Sequence, residues 1–327
     1  MDFIRPSKDF LVKLSRDWAG TCLTLFRVMI PVIIIVKALK ELNLIRYLTF
    51  FLDPVMELIG LPGEMGIVWA TAMVDTIYGS IIVLLSLNGG TMLTTAQVTI
   101  LATVVLVAHS LPVELKIAQK SGPKLPFQAI CRLGCAFFIG WFLNRFYSYF
   151  DLLQNPSVNL LKREIASISE KESTLEWALG QARTLIYISI VIFALLGFMR
   201  ILQKIKVIDM VNRLLRPILR IIGIGPKAST ITIFGLSLGI TYGGGLIIHE
   251  ARNGHVKKED VFFSLTLMGI SHSLIEDTLL MVMIGGDLSG ILWARLIFSL
   301  VFVSILVRTA ARLPRSFCER YFWGDPR

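Results

Sequence analysis

Two apolar runs, Thr21 to Leu39 and Thr184 to Leu202, match the ~20 residues that a helix needs to cross a bilayer, and further runs approach that length. This constrains the chain more than any other feature. Inside hydrocarbon a spanning segment must satisfy its own backbone N–H and C=O groups, as a helix does. Composition points the same way: 54% of the 327 residues are hydrophobic, 17% are charged and the mean hydropathy is +0.70. A soluble domain carries about 25% charged residues. The expected class is an all-α, multi-pass membrane protein. Met1 to Gly20 is amphipathic and charged and has no apolar core before a small-residue site, so no cleavable signal peptide is expected. The net charge of +10 does not point to nucleic acid, because Lys and Arg collect between the apolar runs, where they fix orientation. Cys22, Cys131, Cys135 and Cys318 form no C-x-x-C and read as small apolar fillers.

Shifted by 163 residues, the sequence lies on itself. Pro54 meets Pro217, and "PVMELIGL" meets "PILRIIGI". His109-Ser110-Leu111 meets His272-Ser273-Leu274, Glu114 meets Asp277, Gly122 meets Gly285, and Arg132-Leu133 meets Arg295-Leu296. Only "TIYGS" against "ITYGG" needs a shift of 164. Each unit reads as an apolar helix, an amphipathic segment suited to the membrane interface, a glycine-interrupted apolar piece, a histidine-bearing segment and a last apolar helix. The implied divisions are 1–20, an amphipathic N-terminal segment; 21–144, the first repeat; 145–183, a polar linker; 184–307, the second repeat; and 308–327, a basic tail.

The third piece of each unit, Glu64 to Leu87 or Lys227 to His249, is long enough for one crossing, but Asp75 and the glycines at its middle break helices. Two half-helices that enter and leave on one side are the alternative. Charge favours the hairpin. With three crossings per unit the second copy is inverted, and the Lys/Arg-rich segments, 114–126, 204–227, 252–258 and both termini, all fall inside. The loops "SLNGGTMLTT" and "GGDLSG" and the mixed-charge linker then fall outside. The expected fold is therefore two inverted-topology repeats, each with three transmembrane helices, a re-entrant hairpin and an interfacial amphipathic helix. The expected tips are Asp75 to Gly79 and Thr241 to Gly245. Both termini are expected in the cytoplasm of a bacterial inner membrane.

The candidate site follows from the repeat. His109 and His272 lie very roughly 20 Å along their own segments, so if these enter from opposite faces they meet near the midplane. On a continuous helix His272 and Glu276 share a face, with Asp277 turned about 100° away. Pro112 opens the first histidine segment. Asp75, Thr76 and Tyr78 at one hairpin, and Thr241, Tyr242, Gly243, Gly244 and Gly245 at the other, are candidate lining, with Ser110 and Ser273 beside the histidines. His109, His272, Glu276 and Asp277 are the expected metal set. The competing structural readings are that the histidines satisfy neighbouring carbonyls, that Glu114 is interfacial and pairs Lys116 or Lys120, and that Arg132 and Arg295 snorkel or pair with an acid. Ionisable groups inside a span are functional candidates by default. Adjacent helical residues point about 100° apart, so Ser110-His109 and Ser273-His272 are poor nucleophile–base pairs, and no enzyme is expected.

The stretch "YGGGLIIHEARNGHVKKEDVFFSLTLMGISHSLIEDTLLMVMIGG" resembles the nucleoside-recognition, or Gate, domain. That domain occurs in stand-alone bacterial membrane proteins, spore-maturation proteins, ferrous-iron transporter B proteins and, distantly, concentrative nucleoside transporters. The resemblance covers both repeats and implies an inner-membrane protein with two re-entrant hairpins and an elevator-like movement. The Gly-Gln-Thr-Glu-type run that contacts nucleosides is replaced here by Gly243, Gly244, Gly245 and Leu246, and there is no P-loop, so no nucleotide cofactor is expected. The expected function is secondary transport of a small polar solute or cation, with a divalent ion, a proton or sodium as the coupling species. A nucleoside transporter and a scaffold that binds a partner protein are the alternatives. The expected partners are the bilayer, the solute or cation and a second copy in a homo-oligomer.

Overall fold

The computed structural model describes residues 8–42, 44–87, 92–158 and 174–326. These residues are helical and contain no strand beyond two isolated bridges. The helices are α1 (Lys8–Glu41), α2 (Leu44–Leu58), α3 (Glu64–Val74), α4 (Ile77–Leu87), α5 (Thr95–Val107), α6 (Leu111–Ser121) and α7 (Leu125–Tyr149). After the linker come α8 (Thr174–Lys204), α9 (Val207–Ile222), α10 (Pro226–Leu238), α11 (Ile240–Arg252), α12 (Lys258–Ser271) and α13 (Glu276–Met283). A π-helical turn, Ser289–Ala294, leads into α14 (Arg295–Ala310), and α15 (Arg315–Tyr321) ends the chain. The element order repeats at the sequence shift. Four helices cross the expected divisions: α1 begins at Lys8, before residue 21, α7 runs past residue 144 to Tyr149, α8 begins ten residues before 184, and α14 runs past residue 307 to Ala310.

Six helical segments of the described residues are long and apolar enough to span: Val12–Glu41, Thr95–Ser121, Leu125–Tyr149, Leu175–Leu202, Lys258–Met283 and Ser289–Ala310. The chain is an all-helical membrane protein. The two histidine spans form its centre, since 72% of each lies buried against 28–39% of the other four. Their interior faces carry small and hydroxylated residues, which let helices approach closely where lipid removes the hydrophobic drive for association. Thr266 accepts from Gln128 at 2.8 Å, and Thr99 accepts from the Asp287 amide at 2.8 Å.

α3 packs against α4, and α10 against α11. With 11 residues each, α3 and α4 are about 16 Å long, half of a ~30 Å hydrocarbon core. The first turn falls at Asp75–Thr76, the start of the expected Asp75 to Gly79 stretch, and Ile77 to Gly79 already belong to α4. The second differs: it is made by Gly239 alone, with φ 97° and ψ 158°, a region essentially restricted to glycine. Thr241 to Gly245 therefore continue α11 and do not form the tip. α2 and α9 follow α1 and α8, and each holds its matched proline, Pro54 or Pro217.

The two ends of the bundle are tied differently. At one end the tail folds back: Lys124 N donates to Phe322 O at 2.8 Å, Gly324 N to Gly122 O at 2.9 Å, and Lys258 Nζ meets Asp325 Oδ1 at 2.5 Å. At the other, Thr95 N donates to Asn155 O and Ser157 N to Leu93 O, both at 2.9 Å, and Ser157 Oγ donates to Gly285 O at 3.2 Å.

Candidate functional site

Both histidine spans are broken at the same place. α5 ends at Val107 and α6 starts at Leu111; α12 ends at Ser271 and α13 starts at Glu276. The breaks turn on Ser110 (φ 47°) and Ser273 (φ 53°), matched residues in the left-handed region that serine seldom occupies. Each hairpin docks into one break. Ser110 N donates to Ala72 O at 2.8 Å and Ser110 Oγ to Asp75 O at 2.7 Å; Leu274 N donates to Leu236 O at 2.9 Å. Pro112 needs no helical donor because it falls in the first turn of α6.

The breaks bring His109 and His272 together, with their Nε2 atoms 3.2 Å apart and both rings buried. Glu114 joins them: its Oε1 lies 3.5 Å from His109 Nε2 and 3.2 Å from His272 Nε2. Its Oε2 accepts from Arg132 Nη1 at 2.5 Å. Arg132 also donates through Nε to Val107 O and through Nη2 to His109 O, both at 3.0 Å, capping the carbonyls freed where α5 stops.

The tautomers follow from the remaining bonds. His109 Nδ1 lies 3.1 Å from Val105 O, and His272 Nδ1 lies 2.8 Å from Met268 O. A carbonyl only accepts, so each Nδ1 carries the proton, and a neutral ring presents a bare lone pair at Nε2. The structural reading of the histidines therefore holds at Nδ1 and leaves Nε2 to be explained. With both rings neutral, two imidazole lone pairs and a carboxylate oxygen face one another, and a proton on either Nε2 would bridge them. The negative C-terminal ends of α5 and α12 also point at this spot.

Glu114 departs from its expected place. It is 5% exposed and bonded to Arg132, while Lys116 instead donates to Gln119 at 2.9 Å. The expected set of His109, His272, Glu276 and Asp277 is thereby corrected, since Glu114 is the carboxylate that meets both imidazoles. The physical reason is the break. The i,i+4 argument assumes one continuous helix from His272 to Glu276, and the left-handed Ser273 interrupts it. Glu276 lies near Tyr78 of α4, and the Asp277 amide donates to Ser273 O at 3.3 Å. Asp277 also interacts electrostatically with His272 and Arg295. All three acids sit in the first turn of the restarting helices, where the positive helix end favours them.

The other candidates are placed as follows. Asp75 is half-buried at the first turn, and its Oδ2 and the Thr76 hydroxyl are buried without a hydrogen-bond partner. The backbone of Thr241, Tyr242, Gly243 and Gly244 is helical, but their side-chain surroundings lie outside the described residues; Gly245 is exposed. Arg295, the counterpart of Arg132, is 0% exposed, and none of its three side-chain nitrogens has a hydrogen-bond partner. Sequence reasoning missed Glu114 and Arg132, although their match to Asp277 and Arg295 in the repeat was a usable signal.

No family model matches this chain, and no solved structure matches it. Over 279 residues, 85% of this chain and 87% of the relative, it is 25% identical to the uncharacterized membrane protein YvoD of Bacillus subtilis (strain 168). Like that relative, it is a membrane protein.

Proposed function

We propose that this protein is a secondary transporter of a bacterial cytoplasmic membrane, moving a cation, or a small polar solute coupled to one, through the His109–His272 site. One observation carries the reading: three buried acceptors, two imidazole nitrogens and a carboxylate oxygen, converge within 3.2–3.5 Å. Such an arrangement is repulsive until a positive guest, a proton or a metal ion, enters. A gap of 3.2 Å admits an ion and excludes a nucleoside from that point.

Transport, as against static binding, is supported by architecture. α5–α6 runs from the Asn155 end of the bundle to the Phe322 end, and α12–α13 runs the opposite way. This is the behaviour of inverted-topology repeats, with discontinuous helices meeting at the centre, and secondary transporters place their sites at such points. The half-length α3–α4 and α10–α11 pairs fit re-entrant hairpins, and the resemblance to the Gate domain agrees. The Lys/Arg excess at the Phe322 end supports a cytoplasmic placement of that end. The reading involves no enzymatic step.

The test is flux into proteoliposomes, read with an internal pH dye and an internal metal dye. Proton-linked or divalent-ion flux should exceed that of empty vesicles and be lost in His272→Ala. Flux equal to empty vesicles under every proton and metal gradient overturns the reading and leaves a scaffold that binds a partner protein.

A further inference from the structure

We propose that His109 Nε2, His272 Nε2 and Glu114 Oε1 form a three-ligand site for a borderline first-row transition-metal ion of zinc-like, tetrahedral preference. This deepens the transport reading and rests on it only for the idea that the ion is cargo; binding itself is a separate claim. A tetrahedral ion with bonds of about 2.0–2.1 Å separates its ligand atoms by about 3.3–3.4 Å. The three atoms here are 3.2, 3.2 and 3.5 Å apart. They already form one face of that tetrahedron, and an ion just above their plane reaches all three.

The supporting shell fits as well. A metal-bound histidine almost always donates its other nitrogen to a carbonyl or carboxylate, which fixes the tautomer and the ring. Both rings do this, through Val105 O and Met268 O. Glu114 is a bridging carboxylate: Oε2 is held by Arg132, and Oε1 is left for the ion. Arg132 is thus a positioning residue. Its charge offsets that of Glu114, so the site attracts a dication less than an unpaired carboxylate would, which suits an ion that must leave again. Nitrogen ligands discriminate against Mg2+ and Ca2+, which demand oxygen.

The experiment uses the full chain purified in detergent. Co2+ is titrated as a spectroscopic stand-in for Zn2+, and Zn2+ binding is measured by calorimetry. The expected result is one ion per chain, the intense visible absorption of tetrahedral Co2+, displacement by Zn2+ and no response to Mg2+. His109→Ala and His272→Ala should each weaken Zn2+ at least ~100-fold, and affinity should fall as pH drops, because protons compete for the ligands. Glu114→Gln strands Arg132 and endangers folding, so the paired variant Glu114→Gln/Arg132→Met tests the carboxylate with the ion pair removed as a unit. Absence of Co2+ or Zn2+ binding, or binding that survives both histidine variants, overturns the proposal. If proton flux nonetheless persists and needs His272, the pair holds a proton only, and the transport reading stands without the metal. If the metal binds and no flux is seen, the metal site stands and transport falls.

Discussion

Arg132 and Arg295 occupy matching places in the two repeats, and one methylene separates the acids beside them. Glu114 reaches Arg132 and two carbonyls complete its bonds; the shorter Asp277 leaves all three nitrogens of Arg295 without a hydrogen-bond partner. Removing one partner of a buried, hydrogen-bonded pair costs about 3–5 kcal/mol, because the other charge is stranded. Arg132→Met should therefore lower the thermal midpoint in detergent sharply, while Arg295→Met should leave it unchanged or raise it. Equal losses would show that Arg295 is as well satisfied as Arg132. The histidine pair was legible in the sequence because the same three residues occur twice. Glu114 was not, because its distance from Lys116 and Lys120 along the chain resembles an interfacial position, and only the break at Ser110 turns it inward.

At the scale of elements, the fold depends on two helix breaks and two hairpin turns. Ser110 and Ser273 hold left-handed backbone, which costs roughly 1–2 kcal/mol for a residue with a Cβ, and the Ser110 hydroxyl helps to offset it by bonding Asp75 O. Ser110→Gly should leave stability within about 1 kcal/mol, whereas Ser110→Val, β-branched at positive φ, should cost about 2 kcal/mol or more. Gly239→Ala faces the same problem in a region that only glycine enters, and should cost about 1–3 kcal/mol. Unfolding midpoints decide both; a tolerated Gly239→Ala would mean that the second turn is made elsewhere. Sequence reasoning located the first turn because Asp75 interrupts an apolar run. It misplaced the second because a glycine cluster looks like a breaker, yet Gly243 to Gly245 stay helical once Gly239 has made the turn. The π-turn before α14 left no trace in hydropathy, since it alters hydrogen-bond register and not composition.

For the whole molecule, the six candidate spans were readable from apolar length, a global property that tolerates local error. Sidedness is the testable consequence. All four native cysteines are buried, so single cysteines placed at Lys120, His255 and Arg320 should react with a membrane-impermeant maleimide only from the cytoplasmic side, and one at Asn155 only from the opposite side. Labelling of Lys120 and His255 positions from different sides would refute the inverted arrangement. The halves nevertheless differ in how they hold their hairpins: beyond its hairpin mate, α4 rests chiefly on α1, whereas its counterpart α11 rests chiefly on α6. Similar sequences have thus settled into two packings within one chain. On the inverted-repeat reading, the exchange in which α4 leaves α1 for α13 and α11 leaves α6 for α8 would present the opposite packing to each side of the membrane. Under the transport reading proposed above, a working cycle would be a permutation of roles between two halves, and the pair of rings at its fixed point would not travel for access to change sides.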